Sequence, residues 1–285
     1  MSGRRTIPLL GALTLTGLAL AAPVTPAAAC PRAACVSYGP AVALGAGAAR
    51  SYAVWDGERP LALGLALTPG ALDHLPTVAN DGHHCYDLDG DGRIDPVHEC
   101  SDGHEHVLDL PPGAPAPYSW LLLNWNPLGH GPPMVYDWAH FDVHFYLQAK
   151  AERDAIRPGP CQVLVDCADQ ATATEPVPPE YLPPGYEDRH LVEPAMGNHL
   201  VDPAGPEWRG GPFTRTFIYG AYGGAITFLE PMITVAELRS PATDCTAVKR
   251  PAGWQRPGWY PDRYCLRHHP ATGEYTVSLE GFRHS

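Results

Sequence analysis

Proline and glycine punctuate this chain so densely, at 33 and 29 of its 285 residues, that long helices have little room to form. Proline lacks the backbone N–H that a helix or a ladder needs, and glycine favours turns. Between these breakers lie short runs of β-branched, aromatic and leucine-rich residues, at 51–55, 61–67, 106–110, 120–125, 140–147, 214–222, 225–229 and 275–279. That spacing predicts a mainly β fold, an antiparallel β-sandwich or a barrel-like domain. One short helix is predicted over 148–156, closed by Pro158. The stretch 175–186 holds Pro176, Pro178, Pro179, Pro183 and Pro184 and cannot join a ladder. It reads as one of several long Pro-rich loops, a surface lid or an oligomer arm.

The first residues have the form of an export signal. Arg4 and Arg5 precede an uncharged apolar run at 7–22, and Ala27-Ala28-Ala29 supplies the small residues of a cleavage site. The run is shorter than the roughly 20 residues that span a bilayer, and no later segment is apolar enough to do so. Residues 1–29 are therefore assigned as a signal peptide, and 30–285 as one β-rich domain. Cleavage after Ala29 leaves Cys30 first, which also permits a lipid anchor there. Ala27 stands where lipoprotein signals carry leucine and argues against it. Loss of Arg4 and Arg5 takes the net charge from −12 to −14. So acidic a chain, without basic runs, argues against nucleic acid and anionic membrane surfaces as partners and fits cation binding or simply solubility.

Eight cysteines follow the signal, and an even count in an oxidising compartment reads as disulfides. Local pairing predicts Cys30–Cys35, Cys85–Cys100, Cys161–Cys167 and Cys245–Cys265. A cysteine zinc site is the rival, but no CxxC pair is present.

The sharpest local motif runs from Asp87 to Asp95 within a segment, 80–102, that reads as an inserted calcium loop. Asp87, Asp89 and Asp91 at positions one, three and five, Gly92 at six, Ile94 at eight and Asp95 at nine follow the EF-hand pattern, with Arg93 offering its carbonyl. Hard Ca²⁺ takes six to eight oxygens, which alternate carboxylates supply only around a sharp turn. Position twelve departs from the pattern: it is His98, with Glu99 next, and Pro96 blocks an exiting helix. An isolated extracellular-type loop is expected, of weak affinity, pinned by Cys85 and Cys100. The plain alternative is an acidic turn without an ion.

From His140 to Tyr146 polar and apolar residues alternate, so His140, Asp142 and His144 share one strand face. Along a strand, i and i+2 lie roughly 6.5–7 Å apart and i and i+4 roughly 13 Å, so one ion takes Asp142 with one histidine unless the strand bends. His199 and Glu230 are the distant candidates to complete the set. Two or three histidines with a carboxylate suit Zn, Fe, Mn or Cu. A buried hydrogen-bond network is the alternative. His104-Glu105-His106 offers a further i, i+2 pair of cupin type. No Gly-x-Ser-x-Gly, GxGxxG or P-loop motif is present, and no catalytic residue is identifiable.

Several of these motifs occur in a recognisable order: Trp125-Asn126-Pro127 with Gly129-His130, the 140–146 strand, Met196-Gly197 with His199, 217–224, and 228–234. Together they resemble the TTHB210-like family (DUF5602) of bacterial extracytoplasmic proteins of unknown function, over residues 104–238. The resemblance implies a β-rich envelope protein, with ring formation and envelope-stress regulation as family options and no known reaction. The calcium loop and a Cys-containing C-terminal extension, 239–285, stand outside that pattern.

Three functions follow. The first is an exported metal-binding protein without catalysis. The second is a mononuclear metal hydrolase or oxidase, which would need an open coordination position beside an apolar pocket. The third is a homo-oligomeric, ring-forming assembly protein with structural histidines.

Overall fold

The computed structural model describes residues 34–101, 103–162 and 164–285. Two antiparallel sheets pack face to face, sandwich-fashion. The chain lays down β1 (Cys35–Leu44), β2 (Gly47–Asp56) and β3 (Arg59–Leu67), then crosses to the second sheet with β4 (His104–Asp109), β5 (Trp120–Asn126) and β6 (His140–Tyr146). Next come α1 (Lys150–Asp154), β7 (Pro158–Cys161), α2 (Cys167–Ala173), β8 (Glu187–Glu193), β9 (Gly197–Val201), β10 (Arg215–Tyr222), β11 (Ala225–Thr234) and α3 (Val235–Leu238). Last are β12 (Asp244–Ala247), β13 (Trp259–Tyr260), β14 (Arg263–His269), β15 (Glu274–Glu280) and β16 (Arg283–His284). The first sheet has the order β1-β2-β3-β15-β14-β12, and the second β4-β5-β6-β11-β10-β9-β8.

Alternation along the strands explains the layers. Leu63, Leu65 and Leu67 of β3 meet Leu121 and Leu123 of β5 and Phe141, Val143 and Phe145 of β6 in one continuous core between the sheets. Each such side chain contributes roughly 1.5–3 kcal/mol when fully buried. The second sheet is also covered on its outer side. There Tyr136, Trp208 and Phe213 from two loops pack on Val201, Ile218 and Met232, and Met196 packs on Trp120, Leu122, Tyr146 and Phe228. Every residue of β5 and of β6 is consequently buried, polar ones included.

All eight predicted strands are present. One correction applies. The helix at 148–156 shortens to α1, and two more short helices, α2 and α3, accompany it; Asp166 and Thr234 cap these by accepting from backbone N–H groups. Within the one domain, the 239–285 stretch completes the first sheet, with β15 paired to β3 and β14 to β15. The Pro-rich 175–186 stretch is a surface loop outside both sheets, tied down where Val177 and Leu182 pack against the core and the Tyr186 hydroxyl donates to the Phe217 carbonyl at 2.7 Å.

Disulfides join Cys85–Cys100, Cys161–Cys167 and Cys245–Cys265, as local pairing predicts. Such cross-links fit an oxidising compartment. Cys30, with its expected bond to Cys35 and the lipid-anchor option, lies outside the described residues, as does the expected 1–29 signal. No helix among the described residues is long and apolar enough to cross a membrane.

Candidate metal centre

The β5–β6–β11–β10–β9 run lines polar groups along the covered face of the second sheet. Asn124 stands opposite Asp142 and Asn126 opposite His140. On the other side of β6, the register Leu229↔Phe145 and Met232↔Asp142 sets Glu230 opposite His144. His199 faces Gly220 across β9–β10.

The five residues expected around one ion divide into two groups. His144, His199 and Glu230 each offer a ligand atom within 4.8 Å of the others, drawn from three strands. His140 and Asp142 form a separate group with His130, within the same limit. The strand rise keeps His140 and His144 in separate groups, since i and i+4 stand roughly 13 Å apart along a strand.

The first group is sealed, with side-chain exposures of 0% for His144, 11% for His199 and 2% for Glu230. His144 Nε2 lies 3.3 Å from Glu230 Oε1, and His199 Nε2 3.9 Å from Glu230 Oε2. Among the described residues neither ring nitrogen of His144 makes a hydrogen bond, nor does Glu230 Oε2. Unpaired polar atoms at such depth are costly and rare. His199 Nδ1 donates to the Leu191 carbonyl at 3.0 Å. A carbonyl can only accept, so Nδ1 carries the proton, and neutral His199 turns the Nε2 lone pair toward Glu230. Metal-bound histidines are commonly tethered this way. Burial lowers His144 to about 3 and His199 to about 4, keeping both rings neutral and able to ligate. Burial, with the neighbouring Asp142 charge, pushes Glu230 well above the usual carboxylate range, so it holds a proton unless a cation replaces it.

Gly220 makes room for this triad. A Cβ there would stand 2.1–2.3 Å from the Phe228 ring, whose centroid lies 4.8 Å from His144 and 5.3 Å from His199. Gly220→Ala is expected to cost about 1–3 kcal/mol by overpacking, read as a lower urea midpoint at unchanged slope. An unshifted midpoint would show the ring free to move.

The second group is more open, with 37% of the His130 side chain exposed. His130 Nδ1 donates to the Gly131 carbonyl at 2.8 Å and His140 Nδ1 to the Trp138 carbonyl at 2.5 Å. Their Nε2 atoms face Asp142, at 3.2 Å from Oδ2 and 3.1 Å from Oδ1 respectively. Asn126 Nδ2 donates to Asp142 Oδ2 at 2.6 Å and fixes the carboxylate. Burial favours the neutral acid, but the charge of His140 and the hydrogen bond from His130 outweigh it and hold Asp142 well below the usual range. Burial likewise opposes charge on His130, yet Asp142 lifts it to about 9.

No family model, curated protein or solved structure matches this chain. The reading therefore rests on geometry.

In the acidic loop Asp87, Asp89 and Glu99 converge within 4.8 Å, while the carboxylates of Asp91 and Asp95 stay outside that group. Asp87 accepts from the Gly90 and Gly92 N–H groups at 2.8 and 2.9 Å, with both glycines at left-handed φ of +73° and +79°. Asp91 accepts from Arg93 N–H, and Asp95 from Val97 N–H and the His98 ring. Glu99, one place beyond the expected position, accepts from the N–H groups of Asp95, Leu88 and Asp89, which pull it below its ordinary value. His104 and His106 join neither histidine group: His104 Nε2 is within 2.9 Å of the Val78 carbonyl, and Glu105 pairs with Arg153 and His84.

His130 escaped the sequence reading because its loop carries no periodicity. A signal existed: the loop joining two hairpin strands returns over their shared end, here Asn126 and His140.

Proposed function

We propose that this chain is an exported, cystine-braced metal-binding protein without catalysis, holding a divalent transition ion between His144, His199 and Glu230. The observation that carries the reading is His144, wholly buried, with neither ring nitrogen in a hydrogen bond among the described residues, beside a carboxylate oxygen in the same condition. Two imidazoles and one carboxylate make a borderline donor set that suits zinc, with copper, iron or manganese as alternatives. A divalent charge offsets the desolvated carboxylate, and no hydrogen-bond network supplies that to this triad.

Export accords with the signal-like leader, the disulfides and the resemblance to an extracytoplasmic family. Calcium is assigned to the Asp87–Glu99 loop, with Kd on the order of 10⁻⁴–10⁻³ M, typical of extracellular modules.

Elemental analysis of protein purified from its native compartment tests this. Glu230→Gln or His144→Ala is expected to remove about one transition-metal equivalent per chain and leave calcium unchanged. Equal transition-metal content in wild type and both variants would end the proposal.

A further inference from the structure

The geometry points to a second metal site, open to solvent, formed by His130, His140 and Asp142. It shares no ligand with the sealed triad, so either can fail alone. The hairpin β5–β6 supplies two of its donors. The loop between these strands supplies the third and is closed by the His130 N–H donating to the Tyr136 carbonyl at 3.2 Å.

The donors are aimed before any ion arrives. Both imidazoles commit Nδ1–H to backbone carbonyls, at Gly131 and Trp138. Both Nε2 atoms therefore converge on one carboxylate, where a divalent ion would displace the proton that His130 Nε2 shares with Asp142 Oδ2 at 3.2 Å. Asp142 is 4% exposed, and its Oδ1 makes no hydrogen bond among the described residues although it points at His140 Nε2. Asn126 holds the other oxygen, as an outer-sphere partner holds a ligand. Tyr136 and Phe213 wall the rings, with centroids 5.8 Å from His130 and 5.3 Å from His140 respectively.

The exposure of His130 decides the site's character. Structural metal sites are closed on every side, whereas three protein ligands with one solvent-facing position leave room for water or a small anion. The ligand class is thus a divalent transition ion carrying an exchangeable exogenous ligand.

Cobalt(II) with azide tests this on the full mature protein. Titration of the metal-free protein is expected to show two cobalt equivalents by visible absorption, with azide altering the spectrum of one. His130→Ala, at a partly exposed position whose loss leaves the core intact, should remove the azide-sensitive equivalent and retain the other; circular dichroism checks the fold. Glu230→Gln should do the reverse. A single azide-indifferent equivalent, untouched by His130→Ala, would remove the open site and leave the sealed triad standing. An azide-sensitive equivalent that survives His130→Ala would overturn the assignment too.

Discussion

Saturating zinc is expected to raise the unfolding free energy of the metal-free protein by about 4 kcal/mol per site when free ion stands at a thousandfold Kd. Glu230→Gln should erase the share belonging to the sealed triad. Metal-free Glu230 is neutral because burial raises it, so an amide of nearly the same shape leaves the apoprotein fold in place. What the amide lacks is the charge that a divalent ion demands. Urea unfolding with zinc and with a chelator reads the difference, at unchanged slope. An equal zinc gain in wild type and Glu230→Gln would show that the triad takes no ion.

The other large effect concerns the join between the acidic 80–102 loop and the sandwich. Glu105 on β4 meets the Arg153 guanidinium from α1 and the His84 ring from the loop, with side-chain exposures of 9% for Glu105 and 1% for Arg153. Breaking a buried pair by removing one charge costs about 3–5 kcal/mol, because the survivor stays desolvated. Glu105→Gln is expected to cost that much in chemical unfolding; below about 1 kcal/mol the pair would be behaving as a solvated one. Burial alone would raise Glu105, but the hydrogen bond from His84 and the charge of Arg153 bring it to about 2. Its folded value thus lies below its ordinary 4.5. The stabilisation is whole above that ordinary value and fades as pH falls toward about 2. Across that window Glu105→Gln should show a flatter stability profile than wild type.

The sandwich was legible wherever alternation was undisturbed, as in β6, where the facing of all seven residues follows from the sequence. It was illegible where pairing overrides composition. β8 opens on Glu187, Asp188, Arg189 and His190, all exposed, and reads as a loop; only its partner β9 makes it a strand. β1 is broken by Gly39-Pro40, where its register with β2 shifts. β11 continues to Thr234 through Pro231, a residue expected to end it. For the site, the residue types were readable, but their grouping depended on which strands become neighbours. Nothing local in the sequence reports that β11 lies beside β6 while β9 lies two strands further on.

The roofing of the second sheet has a consequence for timing. An ion held by His144, His199 and Glu230 would sit beneath side chains that are at most 11% exposed, so its release would depend on local opening of the layer that covers the sheet. The metal found there would be a record of which cation the surroundings offered when the chain first closed around it, and later changes in supply would be slow to rewrite that choice.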